Sequence, residues 1–212
     1  TVLAARPDLQ RHLIDDDDAA NRQPTLYVPF AEPDHPFQGI VHQGLASEEL
    51  LRKFGLGHLA EHDRTGWLEL SWSARTEPRP ENRVSFHSDQ RDWCGMPAIS
   101  VDFELSDEDR RSAELALDVL TTAANNLGRP VPGFEPRLCP PGTSLHYTGT
   151  VRMGPVPGDS ASVCDPHSRV HGLSNLFVGG NGVIPLATTC NPTLTSIALA
   201  AHAIPAVLTA IS

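Results

Sequence analysis

The apolar positions of this chain follow two different periods. "GWLELSWSA" (Gly66 to Ala74) alternates Leu68, Leu70 and Trp72 with Trp67, Glu69 and Ser71, the pattern of a strand with one buried face. "TLYVPF" (Thr25 to Phe30), "NRVSFHS" (Asn82 to Ser88) and "AISVDFEL" (Ala98 to Leu105) are further short runs suited to strands, bounded by Pro, Gly, Asp or Asn. "TEPRPEN" (Thr76 to Asn82) joins two of them and is stiffened by two prolines. Together these runs predict a mostly antiparallel sheet. After Leu105 the period becomes helical. Ser106 stands as N-cap with Asp109 three residues later, in capping-box spacing, and acidic residues fill the first turn. Leu115, Val119, Leu120 and Ala123 can share one face, and Gly128 and Pro130 end the helix, which is expected to pack on the sheet.

The remaining segments read differently. Residues 1–23 are polar, and the run Asp15 to Asp18 lacks the spacing and Gly of a calcium loop, so it is read as a solvated loop. Residues 129–170 are irregular and rich in His, Arg, Gly and Pro, a composition typical of functional loops. "NLFVGG" (Asn175 to Gly180) predicts a short buried strand. The segment Thr193 to Ile211 is apolar over a length that raises the question of a membrane span. His202, Pro205, its Ser/Thr content and the excess of Ala over Leu favour a buried helix packed against a sheet, with Pro192 at its first turn.

Composition narrows the function classes. The 212 residues, 40% hydrophobic and 20% charged, can build a sizeable core. A net charge of −10 disfavours binding to phosphate backbones, so no nucleic-acid partner is expected. The four cysteines form no CxxC pair and have no His at zinc-ligand spacing. They are read as free thiols in a reducing, cytoplasmic setting. His58 and His62 are four apart without a third ligand, so no metal is expected. The chain begins at Thr1 without a signal peptide and reads as a piece of a longer protein. It has neither GxGxxG nor GxxxxGK[ST]; "GGNG" (Gly179 to Gly182) alone is a weak hint of a phosphate or ribityl contact.

Three pieces near the C-terminus carry the chemistry: "LHYTGTVRMG" (Leu145 to Gly154), "DPHSRVHGLSNLFVGGNGVIP" (Asp165 to Pro185) and "NPTLT" (Asn191 to Thr195). Their order and wording resemble the C-terminal part of the glucose–methanol–choline flavin oxidoreductases, and within them the pyranose oxidases of bacterial type. The upstream "ARTEP", "ENRVSF" and "MPAISVDFEL" are similar to that subfamily's substrate domain. The resemblance implies an α+β chain. Residues 24–145 would be a substrate-binding domain whose antiparallel sheet is backed by helices. Residues 146–212 would be the catalytic loop and a strand–loop–helix completing an α/β FAD domain, with 1–23 a polar lead-in.

The resemblance also implies roles. His146 would be the base for a sugar hydroxyl, and Asn191 would hold the same oxygen. Gly180, Asn181, Asn191, Pro192 and Thr193 would line an FAD, and His42 would touch substrate. The cofactor's other half would need an N-terminal FAD-binding part that this chain lacks. Oxygen or a quinone would be the acceptor, giving hydrogen peroxide with oxygen; no membrane partner and an oligomeric enzyme are expected. Two positions depart from pyranose oxidases. Val151 stands where they carry a second His, and Ile40 replaces a polar residue two before His42, in a stretch (Pro36 to Gly44) read as the substrate loop. The alternatives are oxidation at carbon 3 of O- or C-glycosides and, in another class, a non-catalytic carbohydrate-binding or regulatory subunit.

Overall fold

The computed structural model describes residues 1–10, 24–31, 35–43, 66–155 and 162–211, which fall into two compact units. The Asp15 to Asp18 run, His58 and His62 lie outside the described residues.

The first unit comprises the described residues of 1–74 together with 110–139. Its sheet contains β1 (Val2–Ala5), β2 (Pro24–Val28), β3 (Phe37–Gln43), β4 (Trp67–Ala74) and β7 (Gly128–Pro130), in the order β2-β3-β4-β1-β7. All described pairings are antiparallel, as the alternation predicts. A short helix, α1 (Pro7–Gln10), follows β1. The polar lead-in is corrected at its start: Val2–Ala5 form an inner strand, with Leu3 wholly buried. A four-residue strand enclosed on both sides shows no alternation, which is why its pattern is silent. The stretch read as a substrate loop is also corrected, because Phe37–Gln43 are a strand paired along its length with β4.

Leu3, Ala5, Val41, Leu68 and Leu70 on this sheet form one core with Leu120 and Ala124 of α2 (Asp107–Leu127). The buried stripe of α2 is Ala116, Leu120 and Ala124, one residue every turn, with Leu117, Ala123 and Leu127 at its flanks. Leu115, placed on that stripe by spacing, is exposed. Alanine at two of the three positions lets the helix backbone approach the sheet closely.

The second unit comprises residues 75–109 and the described residues of 140–211. Strands β5 (Arg83–Arg91) and β6 (Pro97–Asp102) pair as a hairpin. The Asn82 carboxamide closes its open end, donating to the Glu104 carbonyl (3.1 Å) and accepting from the Glu104 N–H (2.8 Å). The first turn of α2 is capped as the spacing predicts. Ser106 Oγ accepts from the Asp109 N–H (3.0 Å), and Asp109 Oδ2 accepts from the Ser106 N–H (2.9 Å). The other Asp109 oxygen accepts from the Glu77 N–H (3.0 Å). Burial pushes the Asp109 carboxyl up. The N–H donors of Glu77 and Ser106, the Ser106 hydroxyl and the charge of Arg79 outweigh burial and hold it below its ordinary value.

Helix α3 (Thr193–Ile211) closes the unit. The Pro192 carbonyl accepts its first helical bond, from the Ser196 N–H (2.9 Å), so Pro192 sits at the helix start as expected. The expectation of a buried helix is not met among the described residues. Leu194, Ile197, Ile204, Leu208 and Ile211 are exposed, and Ala203 is the buried residue of the helix. By length and composition α3 could cross a membrane.

Candidate active site

The predicted catalytic loop is held by its own short-range bonds. The Thr143 N–H and hydroxyl both donate to the Pro140 carbonyl (3.2 and 2.7 Å), and the Tyr147 hydroxyl donates to the Gly142 carbonyl (3.0 Å). The His146 N–H donates to Ser144 Oγ (3.1 Å). These contacts fix the backbone on both sides of His146 and leave its ring exposed. Among the described residues no side-chain partner occupies the His146 imidazole or the Asn191 carboxamide.

Beyond His146 the chain runs beside the glycine-rich turn. Gly149, Val151 and Met153 donate to the carbonyls of Asn181 (3.4 Å), Gly182 (3.0 Å) and Val183 (3.0 Å). Gly182 permits this approach, since a Cβ there would stand 2.7 Å from Thr150 Oγ1 and 2.9 Å from Val151 Cγ2. The opposite flank of the turn is open, and a Cβ added at Gly179 or Gly180 meets no atom within 4 Å. Gly180 has φ 82° and ψ −168°, a conformation that only Gly adopts readily. Asn181–Val183 then form one 3₁₀ turn, and Ser196 Oγ, in the first turn of α3, donates to Asn181 Oδ1. The structure thus joins the His146 loop, the Gly180–Asn181 turn and the α3 start that carries Asn191, Pro192 and Thr193.

A second group of loops supports this arrangement. Asp165 Oδ1 accepts from the N–H groups of His167 (2.8 Å) and Arg169 (3.0 Å). Asp165 and Arg169 are therefore joined through the Arg169 backbone, while the Arg169 guanidinium lies 5.6 Å from the centre of the Phe177 ring. Arg152 Nη1 donates to the Gly149 carbonyl (3.3 Å) and ties the loop to itself. "NLFVGG" is corrected from a buried strand to a single bridge, Arg169 to Phe177, with Leu176 exposed. Its polar groups are met by the neighbouring loop: the Val178 N–H donates to the Ser168 carbonyl, and the Leu176 carbonyl accepts from the Val170 N–H (both 2.9 Å).

His42 belongs to the first unit. In β3 it alternates with Gln38 and Ile40 onto the face opposite the core, and Glu69, Ser71 and Ser73 of β4 stand across from them. Those six positions are polar apart from Ile40, with Val2, Tyr27 and Trp67 flanking them on the same face, and His42 is half-buried.

The residues present fit a flavin. Open glycine backbone admits a flat ring, the carboxamide N–H groups of Asn181 and Asn191 suit its carbonyl-rich edge, and α3 begins without an acidic residue that would neutralise its positive end. Among the described residues no cluster of three or more His, Cys, Asp or Glu could hold a metal. Sequence reasoning missed Ser196 and Gly149, because their contacts to Asn181 join distant segments and leave no local signal.

The chain belongs to the GMC oxidoreductase family, whose family model matches residues 78–200. It is 41% identical over 177 residues to a C-glycoside 3-oxidase of Microbacterium trichothecenolyticum and 45% identical over 177 residues to one of Arthrobacter globiformis. It is 34% identical over 185 residues to a pyranose 2-oxidase of Tricholoma matsutake. In each case the match covers 82% of this chain and 32% of the relative, so the chain spans about a third of the length of these curated relatives.

Proposed function

We propose that this chain is the C-terminal part of an FAD-dependent sugar oxidoreductase that converts a ring hydroxyl to a ketone. One observation carries the reading. The segments bearing His146, Gly180–Asn181 and Asn191 converge on a turn with an open flank, in a chain similar to sugar oxidases over 82% of its length. The division into a substrate domain (24–145) and a C-terminal segment completing the FAD domain (146–212) is part of the same proposal.

Oxidation of a secondary alcohol removes a proton from oxygen and a hydride from carbon. A bound FAD would supply the hydride acceptor, with oxygen or a quinone as the final acceptor and hydrogen peroxide the product in the oxygen case. Neutral His146 takes the hydroxyl proton, a role suited to a side chain whose ordinary pKa is about 6.5. Asn191 donates an N–H to the same oxygen and stabilises the negative charge that develops there. Gly179 and Gly180 admit the cofactor's ring, and the first amides of α3 favour its electron-rich edge. His42 and the polar face of β3 and β4 bind sugar hydroxyls.

The higher identity to the two C-glycoside 3-oxidases, together with Val151 and Ile40, favours carbon 3 of a glycoside over carbon 2 of a free sugar. Anaerobic stopped-flow reduction of the complete enzyme's flavin tests the reading, with glucose and a C-glycoside as rival substrates. His146→Ala lowers the reduction rate by about 10²–10⁴, and Asn191→Ala by about 10²–10³. The double variant loses less than the product, because both groups act on one oxygen. A wild-type rate in His146→Ala across pH 6–8 refutes the base assignment, and purification without flavin absorbance leaves the carbohydrate-binding subunit.

A further inference from the structure

Three helical hydroxyls in this chain take the same kind of partner, and Ser196 takes a different one. Thr121, Thr122 and Thr209 each donate to the carbonyl four residues earlier, at 2.7, 3.0 and 2.9 Å. That is the usual outlet for Ser and Thr within a helix. Ser196 has the Pro192 carbonyl in the equivalent place, where it takes the Ser196 N–H. Its hydroxyl instead donates to Asn181 Oδ1, fifteen residues away in sequence.

Asn181 is thereby fixed at several points. Its carbonyl accepts from the N–H groups of Gly149 (3.4 Å) and Ile184 (3.2 Å). Gly180 before it holds a conformation that few other residues can adopt. With Oδ1 held by a hydroxyl donor, the carboxamide is turned to present its two N–H donors away from Ser196. No partner among the described residues takes them, and they stand in the turn whose Gly179 and Gly180 flank is open.

We propose that Ser196 is a positioning residue for the flavin. By holding Asn181 Oδ1 it fixes the carboxamide with its N–H donors available to the cofactor. The assignment rests on the flavin reading above. Fixed donors beside a flavin favour its more negatively charged, reduced form and raise its midpoint potential. Ser196→Ala frees the carboxamide to turn its acceptor toward the ring.

The test is dye-equilibrated reduction of the purified complete flavoenzyme. Ser196→Ala makes two-electron reduction about tenfold less favourable, a fall of about 30 mV. Ser196→Thr, which keeps the hydroxyl, stays at the wild-type potential. In an Asn181→Ala background, Ser196→Ala adds no further fall, since the effect passes through Asn181. If Ser196→Ala does not fold, Ser196→Cys keeps the volume with a weaker donor and gives a smaller fall, read in the same way.

A wild-type potential in Ser196→Ala overturns the assignment, even with a lowered melting temperature, because a purely structural staple predicts that pairing. An equal fall with Asn181 already removed also overturns it. A wild-type enzyme that holds no flavin overturns the flavin reading itself, an outcome seen before any Ser196 variant is measured.

Discussion

At the scale of single residues, Asp109 carries the clearest electrostatic consequence. It is 4% exposed and accepts from the N–H groups of Glu77 and Ser106. Its folded pKa lies below the ordinary value of 3.8. A depressed carboxylate contributes stability that is fully present above the unfolded pKa and is lost as pH falls through the folded one. Asp109→Asn should therefore lower stability by about 1–2 kcal/mol at pH 6, and the gap to wild type should close below pH 4. Urea midpoints at pH 6 and pH 2.5 check this, and a gap constant with pH contradicts it. Asp109 was legible as a capping residue because Ser106 lies three positions before it, whereas its bond to Glu77 crosses a Pro-rich connection that no periodicity describes. His146 and Asn191 were legible only through their surrounding motifs. Taken singly, a loop His and an Asn before Pro are ordinary residues, and their side chains are exposed in this chain.

At the scale of elements, alternation and capping located β2, β4, β5, β6 and α2 because each has an apolar and a polar side in its sequence, whether or not the apolar side is covered here. β1, enclosed by its neighbours, and β3, whose Pro36 and Gly39 resemble loop signals, fall outside that logic. β7 is shorter still, and its pairing depends on one contact. A Cβ at Gly128 would stand 2.0 Å from the Ala4 carbonyl oxygen and 2.6 Å from Leu3 Cδ1. The nearest obstacle is backbone, which cannot rotate away. Gly128→Ala should destabilise the first unit by about 2–3 kcal/mol or more, within the range of overpacking. Amide hydrogen exchange should show lost protection in β1 and β7 with less change in β2. Uniform protection across the sheet would mean that the β1–β7 seam yields without cost.

At the scale of the whole molecule, two apolar surfaces lack a covering among the described residues. One is the face of α3 carrying Leu194 (79% exposed) and Ile211 (76%). The other is a face of the hairpin, where Val84 stands opposite Val101 and Phe86 opposite Ile99, all exposed. Contiguous apolar surface of this kind marks an interaction site. In the flavoenzyme proposed above, further chain would supply the cover; the hydropathy of α3 was legible in the sequence, and the surface it packs against was not. The chain produced alone should bind a hydrophobic dye and self-associate, and Leu194→Glu should reduce both. In the flavoenzyme proposed above, the same substitution should instead loosen FAD. Liposome flotation of the complete enzyme separates this from membrane insertion of α3, which predicts that the protein floats. The order β2-β3-β4-β1-β7 also has a consequence in time. β1 gains β4 as a partner once residues 67–69 exist, but its other edge waits for Gly128–Pro130. At about 5–20 residues per second of synthesis, that edge stays unpaired for on the order of ten seconds after Leu3 is made. During that interval the nascent chain presents an open strand to every chaperone and every neighbouring ribosome's product, and the last short strand ends the exposure.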